Sequence, residues 1–361
     1  MNILLIGPLP DPVNGEALAN QTFINYLGKH KIQHAYINTT GYKDIKSSHG
    51  KFSIFKLLQF IGVYRNILKI IGHKGVVYIT IGQTFLGVVK YAPFIIMTIL
   101  LKKPYYLHLH GNYLGHTYHT LSGGKKKLFK WLIGHAQGGI VLSESLTSNF
   151  QHLLPEEKIH VVENFASDIL YNIDITRKQF QQLHLLFLSN LMPEKGIEDF
   201  LDALLMLQQA RIPFKATIGG ALETSSKHTV MQKMKKIDEK SLDYLGFING
   251  SLKQEVLKQA NVFVLPTYYK IEGQPISIIE ALATGNIIVT TRQGGIPDFI
   301  SEKQGFFVEK KNPANLFETF KYLSENLSSL SSLSQENRQY AIQRFSEDRF
   351  GCNLLRILSR S

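Results

Sequence analysis

Short apolar runs alternate with helix-length segments through most of this sequence, and this alternation restricts the fold more than any other feature. The first five runs lie at residues 3–6, 76–81, 105–109, 139–142 and 159–162. Each run is too short for a buried helix but long enough for a buried strand. Strands separated by helix-length segments pair in parallel, because a parallel pair needs a long crossover connection. The pattern therefore predicts an α/β fold with a parallel sheet.

The alternation stops and then begins again in the second half of the sequence. The second series lies at residues 185–188, 214–218, 242–245, 262–265 and 287–290. A polar stretch at 163–182, which we interpret as a linker, separates the two series in a chain longer than one core usually supports. We predict two Rossmann-like domains, residues 1–168 and 169–345, with a C-terminal helix at 346–361 that packs back on the first. Such sheets bind ligands at the carboxyl ends of their strands, so two facing domains would enclose a cleft.

The net charge of +12 is unevenly distributed along the chain. Residues 1–170 contain 17 Lys and Arg but 8 Asp and Glu, a balance that attracts phospholipid head groups, nucleic acids or phosphorylated substrates. A single cysteine, Cys352, excludes an internal disulfide and a cysteine metal cluster, which fits a reducing compartment. The N-terminus has no basic leader, and the longest apolar stretch, 91–101, is far shorter than the ~20 residues of a membrane-spanning helix. We expect a cytoplasmic protein.

The strongest local signal for chemistry is the segment from Glu272 to Gly285, which reads EGQPISIIEALATG. It predicts a loop that enters a helix, with Glu272 in the loop and Glu280 about two turns into the helix. Amide groups at a helix N-terminus can hold a phosphate group, and Gly273 lets the backbone approach closely. The carboxylate of Glu280 can accept hydrogen bonds from two neighbouring hydroxyls, such as those of a ribose. A capped surface helix with two solvated glutamates is the alternative interpretation.

Together with Gly294-Gly295 after it and the strand at 262–265 before it, this segment resembles glycosyltransferase family 4, a retaining family with the GT-B fold. The family signature pairs a Glu-Gly-x-Pro loop with a second Glu eight positions on. The resemblance implies that Glu272 contacts the donor sugar and that Glu280 binds the ribose. It also implies that five residues between them hold sugar and diphosphate. These are Gly273, Gln274, Pro275, Ile276 and Ser277.

The resemblance extends to the segment 189–196. It occupies the place of the family's Gly-Arg-Leu…Lys-Gly segment, whose two basic residues contact the donor diphosphate. Lys195 matches the second of these residues, but Asn190 replaces the usual Arg. The replacement removes a bidentate phosphate contact, so another cation or backbone amides would have to compensate.

Four further positions are implicated by the resemblance. Gly15 closes a loop that is similar to the family's first glycine-rich loop and would approach the diphosphate, although a simple turn explains it as well. Gly246 and Phe247 resemble the segment that meets the nucleotide base, or else the end of a core strand. His110 ends a predicted strand, where similar proteins have a His close to the donor sugar and the reacting centre. A structural histidine is the alternative there.

The resemblance implies an enzyme that transfers a hexosyl residue from a nucleoside-diphosphate sugar, which we expect to be UDP-linked, to a polyprenyl-phosphate-linked glycan. Such acceptors belong to bacterial O-antigen, capsule and exopolysaccharide biosynthesis. The sequence has no Asp-x-Asp motif and no metal-spaced His or Cys cluster, so we expect no metal or other cofactor. Lys195, amides and helix ends would then balance the diphosphate charge.

Two alternatives stay open at this stage. A sugar-nucleotide 2-epimerase of GT-B-like fold would need the donor but no acceptor. A basic protein that binds a membrane or nucleic acid would use the charge of the first half. We expect no nucleic acid partner, because the Lys and Arg residues are not interleaved along an aromatic platform.

Two basic apolar segments could each lie on an anionic membrane or form a core helix with a solvated polar stripe. They lie at 51–72 and 125–133, the second of which reads KKKLFKWLI. Cationic, apolar helices of this kind can lie on a bilayer surface. We interpret the first segment as a core helix and the second as a membrane-surface helix. We expect peripheral binding at the inner face of the cytoplasmic membrane.

Overall fold

The computed structural model describes residues 1–40, 62–176 and 178–360. The chain divides into two compact units. Unit 1 comprises Met1–Asn164 with Glu347–Ser361, and unit 2 comprises Phe165–Ser346. Most of the basic segment predicted at 51–72 lies outside the described residues.

The first unit is built on a six-stranded parallel sheet. Its strands are β1 (Asn2–Gly7), β2 (Gln33–Asn38), β3 (Val76–Thr80), β4 (Tyr105–His108), β5 (Gly138–Val141) and β6 (Ile159–Val161). They lie side by side in the order β2-β1-β3-β4-β5-β6. In the register of the sheet, Ile6 of β1 lies opposite Ile37 on one side and Ile79 on the other. The strand order reverses at β1, which creates a switch point between β1 and β3.

Helices connect these strands. They are α1 (Gly15–Lys29), α2 (Leu68–Gly72), α3 (Phe85–Val89), α4 (Ala92–Leu100), α5 (Leu114–Thr120) and α6 (Gly123–Gly134). Helix α1 begins where the side chain of Asn14 accepts a 2.9 Å hydrogen bond from the amide of Ala17. Crossovers between parallel strands are right-handed, so α1 covers one face of the sheet, and α2, α4 and α6 cover the other. In agreement, α4 contacts both α2 and α6.

The second unit repeats this architecture. Its strands are β7 (Leu183–Leu188), β8 (Phe214–Gly219), β9 (Leu242–Tyr244), β10 (Val262–Leu265), β11 (Ile287–Thr290) and β12 (Gly305–Phe307), in the order β12-β11-β10-β7-β8-β9. Its helices are α7 (Ile197–Gln209), α8 (Lys227–Met234), α9 (Gly250–Gln259), α10 (Ile276–Ala283), α11 (Pro313–Asn326) and α12 (Ser331–Arg344). The strand order reverses between β7 and β10.

Short 3₁₀ helices complete the secondary structure. They lie at Arg65–Ile67, Glu144–Asn149, Glu156–Lys158, Asp168–Asn172, Pro193–Lys195 and Ile296–Asp298. Each unit has one apolar core that includes the central strands of its sheet. Strands covered on both faces must be apolar along their whole length, which is why they appear in the sequence as continuous runs.

The last helix, α13 (Glu347–Leu358), belongs to unit 1 and packs on α1. It buries Phe350, Leu354 and Leu358. At its start the carboxylate of Asp348 lies 3.4 Å from the ammonium of Lys29 and 3.3 Å from the ring of His30. The predicted return of the C-terminal helix to the first domain is therefore confirmed.

The predicted fold class is confirmed, with three differences in detail. Strands β2 and β12 were not predicted. Most of the stretch 163–182 belongs to unit 2 rather than to a linker, since Phe165, Ala166 and Leu170 are buried there. The amide of Ala166 also donates a 2.9 Å hydrogen bond to the carbonyl of Phe345.

Close packing of α13 on α1 makes a first prediction. A β-carbon at Gly351 would lie 2.2 Å from the ring of Tyr26, which is itself buried. We expect Gly351→Ala to lower the free energy of unfolding by about 1–3 kcal/mol, because α13 must shift away from α1. Urea unfolding followed by the fluorescence of Trp131 measures this, because the chain has one tryptophan and it lies in unit 1.

Gly134→Ala is the matched control. A β-carbon at Gly134, near the end of α6, meets no atom closer than 3.6 Å. This variant should unfold at the wild-type urea concentration or slightly above it. Equal stability of the two variants would show that α13 does not depend on the close approach at Gly351.

Candidate functional site

The switch point of unit 2 brings two loops together. One follows β7 and ends in the 3₁₀ helix Pro193–Lys195, and the other follows β10 and leads into α10. Neighbouring crossovers leave in opposite directions there, so a crevice opens at the carboxyl ends of the strands. The backbone joins the loops, since the amide of Tyr268 donates a 2.8 Å hydrogen bond to the carbonyl of Glu194.

Lys195 and Glu272 form an ion pair between these two loops. The ammonium of Lys195 lies 2.9 Å from Oε1 and 2.7 Å from Oε2 of Glu272. The hydroxyl of Thr267 donates a third hydrogen bond, of 2.8 Å, to Oε2. The side chains of Lys195 and Glu272 are 15% and 7% exposed, so the charges are largely removed from water and balance each other. The sequence singled out both residues but not their pairing.

Glycines fix the loop that carries Glu272. Gly294 has a φ of +54°, and a β-carbon there would lie 2.1 Å from the carbonyl oxygen of Glu272. The amide of Gly295 donates a 3.0 Å hydrogen bond to the carbonyl of Gly273. Gly196 has a φ of +82°, and its β-carbon would lie 2.4 Å from the carbonyl oxygen of Pro266. Only glycine permits both the conformation and the approach at these positions.

Helix α10 begins directly after this loop. Its N-cap is Pro275, whose side chain makes no capping hydrogen bond. The first amides of the helix, on Ile276 and Ser277, have no acceptor in the preceding turn and are available to an anion. Gly273 and Gln274 are buried beside Glu272. The predicted loop-to-helix segment is therefore one continuous structural element.

Glu280 lies inside α10 and is paired with a residue that the sequence did not single out. The ammonium of Lys253, in the first half of α9, lies 2.5 Å from Oε1 of Glu280. The carboxylate is 4% exposed, whereas the lysine side chain is 26% exposed. Lys253 thus holds one oxygen of Glu280 and leaves the other available to a further donor. No local motif marks Lys253, because its role depends on the packing of α9 against the rest of unit 2.

Asn190, Gly246 and Phe247 lie at the same edge of the unit 2 sheet. Asn190 follows β7, while Gly246 and Phe247 follow β9. Gly246 has a φ of +66°, and its carbonyl accepts a 2.7 Å hydrogen bond from the amide of Gly220. The side chain of Phe247 is exposed. An exposed aromatic ring beside a polar loop is suited to stacking on a flat ligand.

The other two predicted residues, Gly15 and His110, belong to unit 1. Gly15 is the first residue of α1 and lies next to the switch point of the unit 1 sheet. The next residue, Glu16, hydrogen-bonds to Thr80 at the end of β3 and lies near Lys90. Burial raises the pKa of Glu16 to about 7, although Thr80 and Lys90 both lower it. The sequence carried no signal for this half-buried carboxyl.

His110 follows β4, beside a second buried histidine. The rings of His108 and His110 have centroids 4.1 Å apart. Nδ1 of His108 lies 2.6 Å from the hydroxyl of Tyr78. Burial lowers the pKa of His110 to about 3, and burial together with His110 lowers the pKa of His108 well below its usual range. Both rings are therefore neutral at physiological pH.

Several buried polar atoms at this edge of unit 1 have no hydrogen-bond partner within the described part of the chain. They are Oδ1 of Asn20, Oε1 of Gln83, Nε2 of His108, both ring nitrogens of His110 and Oγ of Ser143. Unpaired buried polar atoms are costly, so their concentration at one edge indicates a place where a polar ligand supplies the missing hydrogen bonds. His110 is the predicted residue among them.

Two features are absent from the described residues, a cluster of metal ligands and a membrane-spanning helix. No group of three or more His, Cys, Asp or Glu side chains is placed there to hold a metal ion. Within the same residues, no helix combines the length and apolar character needed to cross a bilayer.

Comparison with known proteins gives these sites a context. Residues 172–340 match the family model described as glycosyl transferases group 1, which supports a glycosyltransferase. A relative from Campylobacter jejuni, N,N'-diacetylbacillosaminyl-diphospho-undecaprenol alpha-1,3-N-acetylgalactosaminyltransferase, is 26% identical over 58% of this chain and 52% of its own. The putative teichuronic acid biosynthesis glycosyltransferase TuaC of Bacillus subtilis is 27% identical over 60% of this chain and 54% of its own. This chain thus spans about half the length of these curated relatives.

Solved structures agree with the family match. HepE of Anabaena in complex with UDP superposes with a TM-score of 0.72 at 16% identity and covers 100% of both chains. A glycosyltransferase from Rickettsia africae superposes with a TM-score of 0.75 at 16% identity over 99% of this chain and 98% of its own. These likenesses show that the chain has the GT-B fold. The family model and both curated relatives are named for glycosyl transfer.

The raised pKa of Glu16 makes a prediction about stability and pH. A carboxyl whose pKa is higher in the folded state than in the unfolded state stabilises the fold at low pH. That contribution is lost as the pH rises from about 4.5 to about 7. We expect the wild type to lose up to about 3 kcal/mol of stability relative to Glu16→Gln over this window. Urea unfolding followed by Trp131 fluorescence at a series of pH values measures it.

Glu157→Gln, an exposed position in unit 1, is the control and should leave the pH profile of stability unchanged. Parallel profiles for the wild type and Glu16→Gln would contradict the raised pKa.

The buried ion pair makes a prediction about unit 2. Lys195→Met leaves the Glu272 carboxylate buried with one remaining partner, Thr267. We expect it to lower the free energy of unfolding by about 3–5 kcal/mol. The double variant Lys195→Met/Glu272→Gln removes the uncompensated charge and should be more stable than the single variant. A double-mutant cycle by urea unfolding and circular dichroism measures the coupling. Simple additivity of the two substitutions would exclude a stabilising pair.

Proposed function

We propose that this chain is a retaining glycosyltransferase of family 4. It transfers a hexosyl residue from a nucleoside-diphosphate sugar, most simply a UDP-sugar, to a lipid-linked glycan of a bacterial envelope polysaccharide. The acceptor class is an O-antigen, capsule or exopolysaccharide precursor on a polyprenyl phosphate, and the enzyme works at the inner face of the cytoplasmic membrane. The observation that carries the proposal is the Lys195–Glu272 pair, held at a switch point beside the N-terminus of α10.

The donor would bind along unit 2. Glu280 offers its second oxygen to the ribose hydroxyls, while Lys253 orients the carboxylate. Phe247 lies against the base. The amides of Ile276 and Ser277 face the diphosphate. The family match of residues 172–340 and the UDP complex of HepE support this assignment.

Lys195 and Glu272 would separate when the donor binds. The ammonium of Lys195 moves to a diphosphate oxygen, and the carboxylate of Glu272 accepts hydrogen bonds from the sugar hydroxyls. Donor binding then replaces one charge pair by two charge-assisted contacts. We propose that Lys195 and helix amides balance the diphosphate without a metal ion. In this scheme the helix amides compensate for the absence of an arginine at Asn190.

Unit 1 would supply the acceptor side and the reacting face. The ring of His110 is uncharged, so one of its nitrogens can donate a hydrogen bond to a hydroxyl group and the other can accept one. The unpaired polar atoms around it can also form hydrogen bonds with hydroxyl groups. Gly15 would bring its amide to the diphosphate. In a retaining transfer the bond between the anomeric carbon and the diphosphate breaks, and the acceptor oxygen bonds to the same face of that carbon. The acceptor proton passes to the leaving diphosphate.

The acceptor class draws on the relatives. The Campylobacter jejuni protein is named for a diphospho-undecaprenol substrate, and TuaC is named for teichuronic acid biosynthesis. Polyprenyl-linked glycans would thus be a common substrate class. The relatives' names favour transfer over epimerisation.

Release of UDP or GDP from a panel of nucleotide-sugars tests the proposal, with membrane extract as the source of acceptor. We expect release from one donor, in the presence of EDTA, and a product with the anomeric configuration of the donor by NMR. Glu272→Ala and Lys195→Ala should each lower kcat/KM by about 100-fold or more, because each removes a contact to the donor.

Glu318→Ala and Lys321→Ala, on the exposed side of α11, are the matched controls and should retain wild-type activity. Circular dichroism of each variant distinguishes lost contacts from lost folding, and Lys195→Arg keeps the charge if Lys195→Ala is unfolded. A folded wild-type protein that neither binds UDP by calorimetry nor releases it from any donor would overturn the proposal.

A further inference from the structure

One part of the chain has no acidic residue. The chain contains 28 Asp and Glu, yet none lies between residues 45 and 143, more than a quarter of its length. The described part of this stretch, residues 62–143, contains ten Lys and Arg. Globular surfaces normally mix both signs of charge, which keeps their local potential low. A stretch of this length with one sign of charge produces a positive field wherever its residues reach the surface.

The fold gathers this stretch on one side of unit 1. Helices α2, α4 and α6 all lie on the face of the sheet opposite α1, because their crossovers run in the same direction. Helix α4 contacts α2 and α6, and α3 contacts α4 and α6. The outer surface of these four helices is therefore continuous, and we call it the basic face.

The basic face exposes large apolar side chains. The two most exposed are Leu100 at 70% and Leu68 at 68%. The complete set is Leu68, Ile71, Leu86, Leu100, Leu101, Leu128 and Trp131. Single exposed leucines are ordinary, but seven large apolar side chains on one helical layer mark an interaction surface.

Exposed cations lie among these apolar side chains. They are Arg65, Lys69, Lys74, Lys102, Lys125, Lys127 and Lys130. In the described part of the stretch no carboxylate is present to pair with them. Apolar and cationic groups thus share one surface, where the cations provide long-range attraction and the apolar groups provide burial.

Helix α6 shows this arrangement most clearly. Its inner side buries Phe129, Leu132 and Ile133 in the core of unit 1. Its outer side carries Lys127, Leu128, Lys130 and Trp131, all exposed. Tryptophan and lysine together are typical of helices that lie at the boundary between lipid head groups and acyl chains.

We propose that the basic face docks unit 1 on an anionic phospholipid bilayer. The occupant is a membrane rather than a nucleic acid, because the apolar side chains here are mainly aliphatic and offer no row of aromatic rings for base stacking. It is a membrane rather than an acidic protein, because exposed leucine, tryptophan and lysine side chains are distributed over four helices, as contact with a broad bilayer surface requires. The composition and exposure of the basic face alone support the docking. Only its purpose, delivery of a lipid-linked acceptor, rests on the proposed function.

Trp131 allows a direct test with the full chain, because it is the single tryptophan. Vesicles of phosphatidylcholine with and without phosphatidylglycerol are added in about 0.1 M and about 1 M salt. We expect sedimentation with the phosphatidylglycerol vesicles in low salt, with a blue shift of Trp131 emission and quenching by brominated acyl chains. Neutral vesicles and high salt should abolish most of the binding.

Lys127→Glu/Lys130→Glu is the test variant, and Lys235→Glu/Lys236→Glu in unit 2 is the control with the same change of net charge. The test variant should bind phosphatidylglycerol vesicles at least about 30-fold more weakly, at about 1 kcal/mol for each lysine, and the control should bind close to wild type. Equal losses in both variants would overturn the docking face, since only net charge would matter. Binding without a Trp131 shift, or preference for RNA over vesicles, would also overturn it.

This test is separate from that of the proposed function. Calorimetry of UDP binding without vesicles reports on unit 2 and should be unchanged in Lys127→Glu/Lys130→Glu. Vesicle binding by a protein that does not bind UDP would retain the docking face and remove the proposed function. UDP binding by a protein that does not bind anionic vesicles would retain the proposed function and remove the docking face.

Discussion

The handedness of the crossovers between parallel strands is the constraint on which the rest of this structure depends. Because each crossover is right-handed, the connections on the two sides of the strand where the sheet changes direction leave to opposite faces, and a crevice opens between the loops at the carboxyl ends of the two strands. In unit 2 this crevice lies beyond β7 and β10, and the loops that follow these strands carry Lys195 and Glu272. In unit 1 it lies beyond β1 and β3, and Glu16 and Thr80 meet there. Residues far apart in sequence thus become neighbours without any local signal.

The two units differ in how their titratable side chains avoid an unpaired charge away from water. Unit 2 pairs its buried carboxylates with lysines, Glu272 with Lys195 and Glu280 with Lys253. The proposed donor would therefore have to compete with these pairs or use their remaining oxygens. Unit 1 instead has half-buried titratable groups whose pKa values favour the uncharged form, because the pKa of Glu16 is raised and that of His110 is lowered. The ion pairs at the edge of the unit 2 sheet suit the binding of a charged diphosphate. The uncharged groups at the edge of the unit 1 sheet suit hydrogen bonding to hydroxyl groups.

The sequence predicted the sheets well because central parallel strands are buried on both faces and appear as continuous apolar runs. It missed β2, an edge strand in which most side chains are exposed, and β12, which has three residues. The loop-to-helix element from Glu272 to Glu280 was predictable because its residues are contiguous. Lys253 and Glu16 were not, since each depends on packing between distant elements. The roles of the predicted site residues stay predictions, as do those of the two domains.

The position of α13 has a consequence for how the chain is completed during synthesis. Unit 2 is one uninterrupted stretch, and hydrogen bonds join residues near its two ends, Ala166 and Tyr171 to Phe345. It can therefore fold as soon as it has emerged from the ribosome. Most of unit 1 is synthesised before unit 2. The surface of α1 nevertheless stays uncovered until Phe350 and Leu354 of α13 have been synthesised, after the whole of unit 2. Unit 1, whose residues are mostly synthesised first, is therefore completed last, and the apolar surface of α1 that α13 covers stays exposed during that interval.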